Sequence, residues 1–98
     1  MKISDFQILI KNIYYSRDVD RGINGTFIWL VEELGELART IKDQEIDKKR
    51  ASEEIADVIA WVNSLANLLD INIESALFNK YPNKCGKCNS NPCTCKKR

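Results

Sequence analysis

Two short acidic groups carry the residue types best suited to chemistry: Glu32, Glu33 and Glu36 in one amphipathic segment, then Glu54 and Asp57 in the next. A spacing of three sets two carboxylates on one face of a helix. Two unpaired carboxylates ~4 Å apart repel by roughly 4 kcal/mol at an effective dielectric of ~20, so four that converge need a divalent cation between them. Hard carboxylate oxygens suit Mg²⁺ or Mn²⁺, which keeps part of its water shell and bridges to phosphate groups. The alternative is a solvated helix face carrying lysines at four-residue spacing. Pairing of that kind is poor here, because Arg39 is the first basic residue after Glu32 and none follows Asp57 before Lys80. With no histidine in the chain, acid–base work falls to carboxylates, lysines, tyrosines or metal-bound water.

A second group lies near the C-terminus, where Cys85-Gly-Lys-Cys88 and Cys93-Thr-Cys95 place four thiols within eleven residues. The two-residue gap and the glycine of the first pair let successive thiolates turn toward one metal, and a Zn²⁺ tetrathiolate is the expected structural site. The second pair is tighter than the usual knuckle, and disulfides or free thiols are the alternatives, disfavoured as structural bridges in a reducing compartment.

The elements that must position these residues read as helices. Ser4 followed by Gln7 is a capping-box pattern ahead of a helix over residues 5–16, and the stretch 16–25, with Gly22, Asn24 and Gly25, reads as a loop. From Thr26 to Asp43 the residues Phe27, Leu30, Val31, Leu34, Leu37, Ala38 and Ile41 form an apolar stripe, with Trp29, Glu33, Glu36 and Thr40 beside it. Residues 49–69 repeat the design: Ile55, Val58, Ile59, Val62, Leu65, Ala66 and Leu69 are apolar, flanked by Glu54, Asp57, Trp61, Ser64 and Leu68. Antiparallel packing of these two segments would gather four acids and two indoles around one cavity. Asn72 is the expected cap of a short helix over 73–80. Nothing alternates with period two over a useful length, so the predicted fold is an all-α antiparallel bundle completed by oligomerisation, with a domain over 1–80 and a basic cysteine tail over 81–98.

The string Glu32-Glu33-Leu-Gly-Glu36 followed by Glu54-Ile-Ala-Asp57 matches the EExxE and ExxD signature of the MazG-like nucleoside triphosphate pyrophosphohydrolases, an all-α superfamily. The flanking Thr26-Phe-Ile-Trp-Leu-Val and Val58-Ile-Ala-Trp61 also resemble its short, single-domain members, across most of residues 15–80. Some of these end in a similar Tyr-Pro and cysteine tail. The resemblance implies hydrolysis of a deoxy or noncanonical nucleoside triphosphate to the monophosphate and pyrophosphate, a house-cleaning of the nucleotide pool. It assigns Glu33, Glu36, Glu54 and Asp57 to Mg²⁺ and leaves Glu32 at the first motif position in a variable role. Glu36 or Glu33 is then the expected proton acceptor. It further implies nucleotide pockets completed by a neighbouring subunit.

Trp61 and Trp29 offer flat walls on which a base could stack, against the alternative of ordinary packing. Ser64 and Asn67 are expected either at the base or in helix–helix hydrogen bonds. Arg21 and Lys11 are set between phosphate contact and simple solvation.

Charge divides the chain in two. Its net +1 conceals a segment 1–79 with nine basic against fourteen acidic residues, −5, and a remainder of +6 from Lys80, Lys84, Lys87, Lys96, Lys97 and Arg98. The competing functional reading takes this basic knuckle as a nucleic-acid or protein interaction module on a helical dimerisation domain. Ninety-eight residues leave much apolar surface uncovered without self-association or a staple, so a homodimer or a dimer of dimers is expected. No apolar run of membrane length and no secretory leader is evident, and the expected location is the cytoplasm.

Overall fold

A computed structural model describes residues 1–97, so Arg98 of the basic tail lies outside the described residues. Those residues form three helices and no strand: α1 (Ile3–Ile41), α2 (Lys48–Leu68) and α3 (Ile73–Lys80), followed by the cysteine-bearing tail.

The stretch 16–25, expected as a loop, is helical apart from one residue. Gly22 has φ 84° and ψ 172°, a conformation open essentially to glycine alone. It divides α1 into two limbs, 3–21 and 23–41, and the helix resumes directly through Asn24 and Gly25. One permissive residue is enough to turn the chain, so the second glycine and the asparagine do not interrupt it.

The expected capping box is also placed differently. The helix starts earlier, where the Lys2 backbone N–H donates to Asp5 Oδ2 at 3.0 Å. Gln7 is instead buried. Its Nε2 donates to Asn67 Oδ1 at 3.1 Å and to the Ile71 carbonyl at 2.7 Å, and its Oε1 accepts from the Ile73 N–H at 2.9 Å. One amide thereby fastens the start of α1 to the turn between α2 and α3.

That turn and the start of α2 follow from local chemistry. Asp47 caps α2 by accepting from the Lys49 and Arg50 N–H groups, satisfying donors that have no intrahelical partner. At the other end Asp70 takes φ 56°, and the N–H groups of Asp70 and Ile71 reach back to the carbonyls of Asn67 and Ala66. This is the paired hydrogen-bond pattern that closes a helix through a left-handed residue. Asn72 then caps α3, accepting from the Ser75 N–H at 2.9 Å, as its position in the sequence predicts.

Residues 42–47 reverse the chain, so the 23–41 limb lies antiparallel to α2, with Trp29 against Trp61 and Glu33 near Asp57. The interior of the single chain is small. Its buried apolar residues are Ile10, Leu30, Ala51 and Ala66, while Gln7, Asp18, Thr26, Thr40, Asn63 and Ser64 are buried polar ones. Most of both predicted apolar stripes faces outward: Phe27 is 53 %, Val31 50 % and Ile59 48 % exposed. The periodicity identified residues that favour burial, and one chain covers only the edge of the stripe that meets its own neighbouring helix. Among the described residues, no helix is long and apolar enough to cross a membrane.

Gly22→Ala is expected to destabilise the protein by about 1–3 kcal/mol through backbone strain, since no atom within 4 Å opposes the added methyl. Urea unfolding of parent and variant measures this, and an unchanged midpoint would contradict the role given to Gly22.

Candidate functional site

The antiparallel hairpin brings acids from both helices together. Glu33, on the second limb of α1, meets Glu54 and Asp57 of α2, with one carboxylate oxygen of each lying within 4.8 Å of the others. Desolvation pushes the Glu33 carboxyl above its ordinary value, and the charges of Asp57, Glu54 and Glu36 push it further, with the Trp61 indole opposing them. A partly shielded set of like charges with few donors is suited to a hard divalent cation.

Glu36 is placed otherwise than the helical wheel suggests. It contributes to the field at Glu33, but its carboxylate pairs with Arg39 one turn on and is not one of the three converging oxygens. Glu32 is exposed and also lies outside that group.

The two indoles do meet. Trp29 and Trp61 stack with centroids 6.1 Å apart and planes 12° from parallel, within the range of offset-stacked aromatic pairs. The Arg21 guanidinium lies 4.6 Å from the centre of the Trp61 ring. Its Nη1 donates to Asp18 Oδ1 at 2.9 Å and to Thr26 Oγ1 at 3.2 Å. These contacts span the kink, so the turn at Gly22 is what lets Arg21 join the two limbs of α1 to α2.

Next to this cluster is a cavity of about 230 Å³, lined by Tyr14, Arg17, Asp18, Arg21, Asp57, Ala60, Trp61 and Ser64. Asp57 thus belongs both to the carboxylate group and to the cavity wall. Ser64 is on the wall as well, whereas Asn67 is held by Gln7 and Lys11 lies over the Tyr15 ring, 5.0 Å from its centre. Asp18 and Thr26 are the site residues that the sequence reading missed. The available signal was an acid and an arginine three residues apart, Asp18 and Arg21, which can pair across one helical turn.

The four cysteines converge in the tail. Cys85 and Cys95 have their sulfurs 3.8 Å apart, and Cys88 and Cys93 theirs 3.9 Å apart. A tetrahedral tetrathiolate with metal–sulfur bonds of ~2.3 Å has edges of about 3.8 Å. Backbone N–H groups point at the sulfurs: Lys87 to Cys85 at 3.4 Å, Thr94 to Cys88 at 3.3 Å and Cys95 to Cys93 at 3.3 Å. The Thr94 N–H pulls the Cys88 thiol down to about 5, and the backbone N–H groups of Cys88 and Lys87 lower Cys85. Cys95 is pushed up to about 12 by the neighbouring sulfurs, Cys93 first. The Cys88 and Cys95 thiols are thus shifted in opposite directions, and a cation among the four sulfurs would favour all of them as thiolates. The knuckle also sits tightly on the end of α3, since a methyl added at Gly86 would lie 2.7 Å from the Lys80 carbonyl oxygen.

Compared with known proteins, the chain matches the family model of the MazG nucleotide pyrophosphohydrolase domain over residues 22–89. That span contains all of the motif acids and runs past Lys80 to include Cys85 and Cys88. No curated protein matches the chain.

The raised Glu33 carboxyl fixes the sign of a pH effect in metal-free protein. Above its ordinary 4.5 the folded chain holds the proton more tightly than the unfolded chain, so this residue's contribution favours folding at acid pH and is lost as pH rises through the folded value. Glu33→Gln is therefore expected to melt higher than the parent at neutral pH in the presence of a chelator, with the difference closing below the ordinary carboxylate range. Circular-dichroism melts across that range check this, and equal neutral-pH melting temperatures would contradict it.

Proposed function

The chain belongs to the MazG nucleotide pyrophosphohydrolase family, and on that premise we propose that it hydrolyses a nucleoside triphosphate to the monophosphate and pyrophosphate, a house-cleaning activity on the nucleotide pool that depends on Mg²⁺ or Mn²⁺. The observation that carries this reading is the convergence of Glu33, Glu54 and Asp57 within 4.8 Å beside a cavity that shares Asp57.

In the reaction a water oxygen bonds to the α-phosphorus, the bond from that phosphorus to the bridging oxygen breaks, and pyrophosphate departs. Glu33, Glu54 and Asp57 would hold a divalent cation, which would polarise the phosphoryl oxygens and offset the charge developing on the leaving group. Glu33 would accept the proton of the attacking water. Glu36, paired with Arg39, adds negative potential from the next turn, and Glu32 lies outside this arrangement. Trp61, Ser64 and Arg21 line the space for the nucleoside, with Trp29 supporting the Trp61 ring. Glu33→Gln and Asp57→Asn are each expected to lower pyrophosphate release at least a hundredfold while retaining helical circular dichroism. Unimpaired release by both variants, assayed with a panel of deoxy, ribo and oxidised triphosphates, would overturn the assignment.

Zinc is the proposed occupant of the cysteine cluster, held by Cys85, Cys88, Cys93 and Cys95, on the support of the sulfur spacings and the backbone N–H groups that face them. The tail over 81–98 is on this reading a structural knuckle attached to the catalytic helices over 1–80. One equivalent of zinc per chain is expected, and cobalt substitution should give thiolate charge-transfer absorption. Two disulfides in metal-free native protein, detected by mass spectrometry, would contradict it.

The assembly proposed is a homodimer or a dimer of dimers. Its support is the exposure of Phe27, Val31, Leu34, Ile55 and Ile59 on one hairpin, a larger apolar surface than a stable monomer ordinarily presents. Dilution below the dissociation constant is expected to reduce stability and specific activity together. A fully active monomer by light scattering at micromolar concentration would refute it.

A further inference from the structure

Asp18 is a buried acid to which the chemistry above gives no part. It is 1 % exposed. Arg21 donates to its Oδ1, while its Oδ2 is buried without a hydrogen-bond partner. A buried acceptor left without a donor is rare in folded proteins and points to a group that supplies one. Asp18 also lines the 230 Å³ cavity that reaches Asp57.

The layout along α2 gives the cavity a direction. Asp57 stands at the carboxylate end, with Trp61 and Ser64 four and seven residues further along, about 6 Å and about 10 Å down the helix axis. A nucleotide with its phosphates at the acids thus has its base beside Trp61, Ser64 and Asp18. Arg21 fixes the Asp18 side chain from one side through Oδ1, and is itself held by Thr26 and by the face of Trp61. Oδ2 is left as an acceptor without a donor, on a residue of the cavity wall.

We propose that Asp18 Oδ2 accepts a hydrogen bond from the exocyclic amino group of the nucleobase, so that the site selects 4-aminopyrimidine or 6-aminopurine bases over their keto counterparts. This inference rests on the nucleotide reading of the site. An amino group supplies the missing donor, whereas a keto oxygen at the same place would set two acceptors against each other in a buried cavity, which a site built for hydrogen bonding rejects strongly.

The test is equilibrium binding, followed through the fluorescence of the Trp29–Trp61 pair, of the α,β-imido analogues of dCTP, dUTP, dATP and dITP in the presence of magnesium. At least one amino/keto pair is expected to differ tenfold or more in favour of the amino member, and the pair that does so identifies the ring. Asp18→Asn keeps an oxygen for Arg21 and sets an amide NH₂ where the free oxygen was, so it is expected to narrow or invert that preference. Equal affinities within both pairs for the parent would overturn the inference, a result that does not depend on the variant folding. An unchanged preference in folded Asp18→Asn would overturn it too, as would a variant altered only in oligomeric state, which would mean that a second copy supplies the donor. If the parent binds none of the four analogues, the nucleotide reading falls with the inference. Binding without discrimination removes the inference alone.

Discussion

Like-charge repulsion sets the terms for the rest of this molecule. Glu33, Glu54 and Asp57 are held within 4.8 Å of one another by a hairpin whose two helices contribute little buried hydrocarbon between them, chiefly Leu30, Ala51 and Ala66. Carboxylates at that separation oppose the packing that brings them together, and the Glu33 carboxyl, raised first by desolvation, is raised further by the charges of Asp57, Glu54 and Glu36. Something must offset it. Within the chain the offsets are the Trp29–Trp61 stack one turn away, the Gln7 amide at the far end of α2, and the Arg21 bonds across the kink. Outside the chain, a divalent cation at these oxygens would remove the repulsion at its source.

The same economy of burial accounts for the distribution of polar groups. In a single chain the most deeply buried residues are Thr26 and Asp18, while Phe27, Ile28 and Trp29, the next along the helix, are about half exposed or more. A helix that turns its threonine inward and its phenylalanine outward leaves apolar surface uncovered within the single chain. Thr26 is needed inside because its hydroxyl accepts from Arg21, and helical periodicity then commits Phe27 to the other side. The polar interior of the site and the apolar exterior of the hairpin are therefore two faces of one geometric choice.

Much of this was legible in the sequence. Residue spacing gave the antiparallel pair of helices, the two acidic groups and the neighbouring indoles, and Asn72 marked α3 within a residue. Two placements differ from what the local pattern suggests. Gly22, Asn24 and Gly25 suggested a loop because each favours turns, yet only Gly22 leaves helical backbone, and the others are carried by the helix that resumes after it. Glu33 and Glu36 lie within about 60° on a helical wheel, but an angle does not record axial position. One turn further along, Glu36 reaches Arg39 rather than α2. The loop reading missed what a continuing helix does to a local preference, and single-residue propensity carries no information on that.

Asp18 lies in the stretch whose glycines suggest a loop, where burial is not expected. Its recovery depends on seeing Arg21 as a hub rather than as a surface cation. The guanidinium offers planar donors and a stacking face at once, and here both are used, on Asp18 and Thr26 and on Trp61. Lysine in its place would keep the charge but would lack the planar group that bonds Asp18 and Thr26 while lying over the Trp61 ring. The turn at Gly22, the arginine beside it and the buried acid three residues earlier thus act as one unit. It holds the first limb of α1 against the cavity that Asp57 also lines.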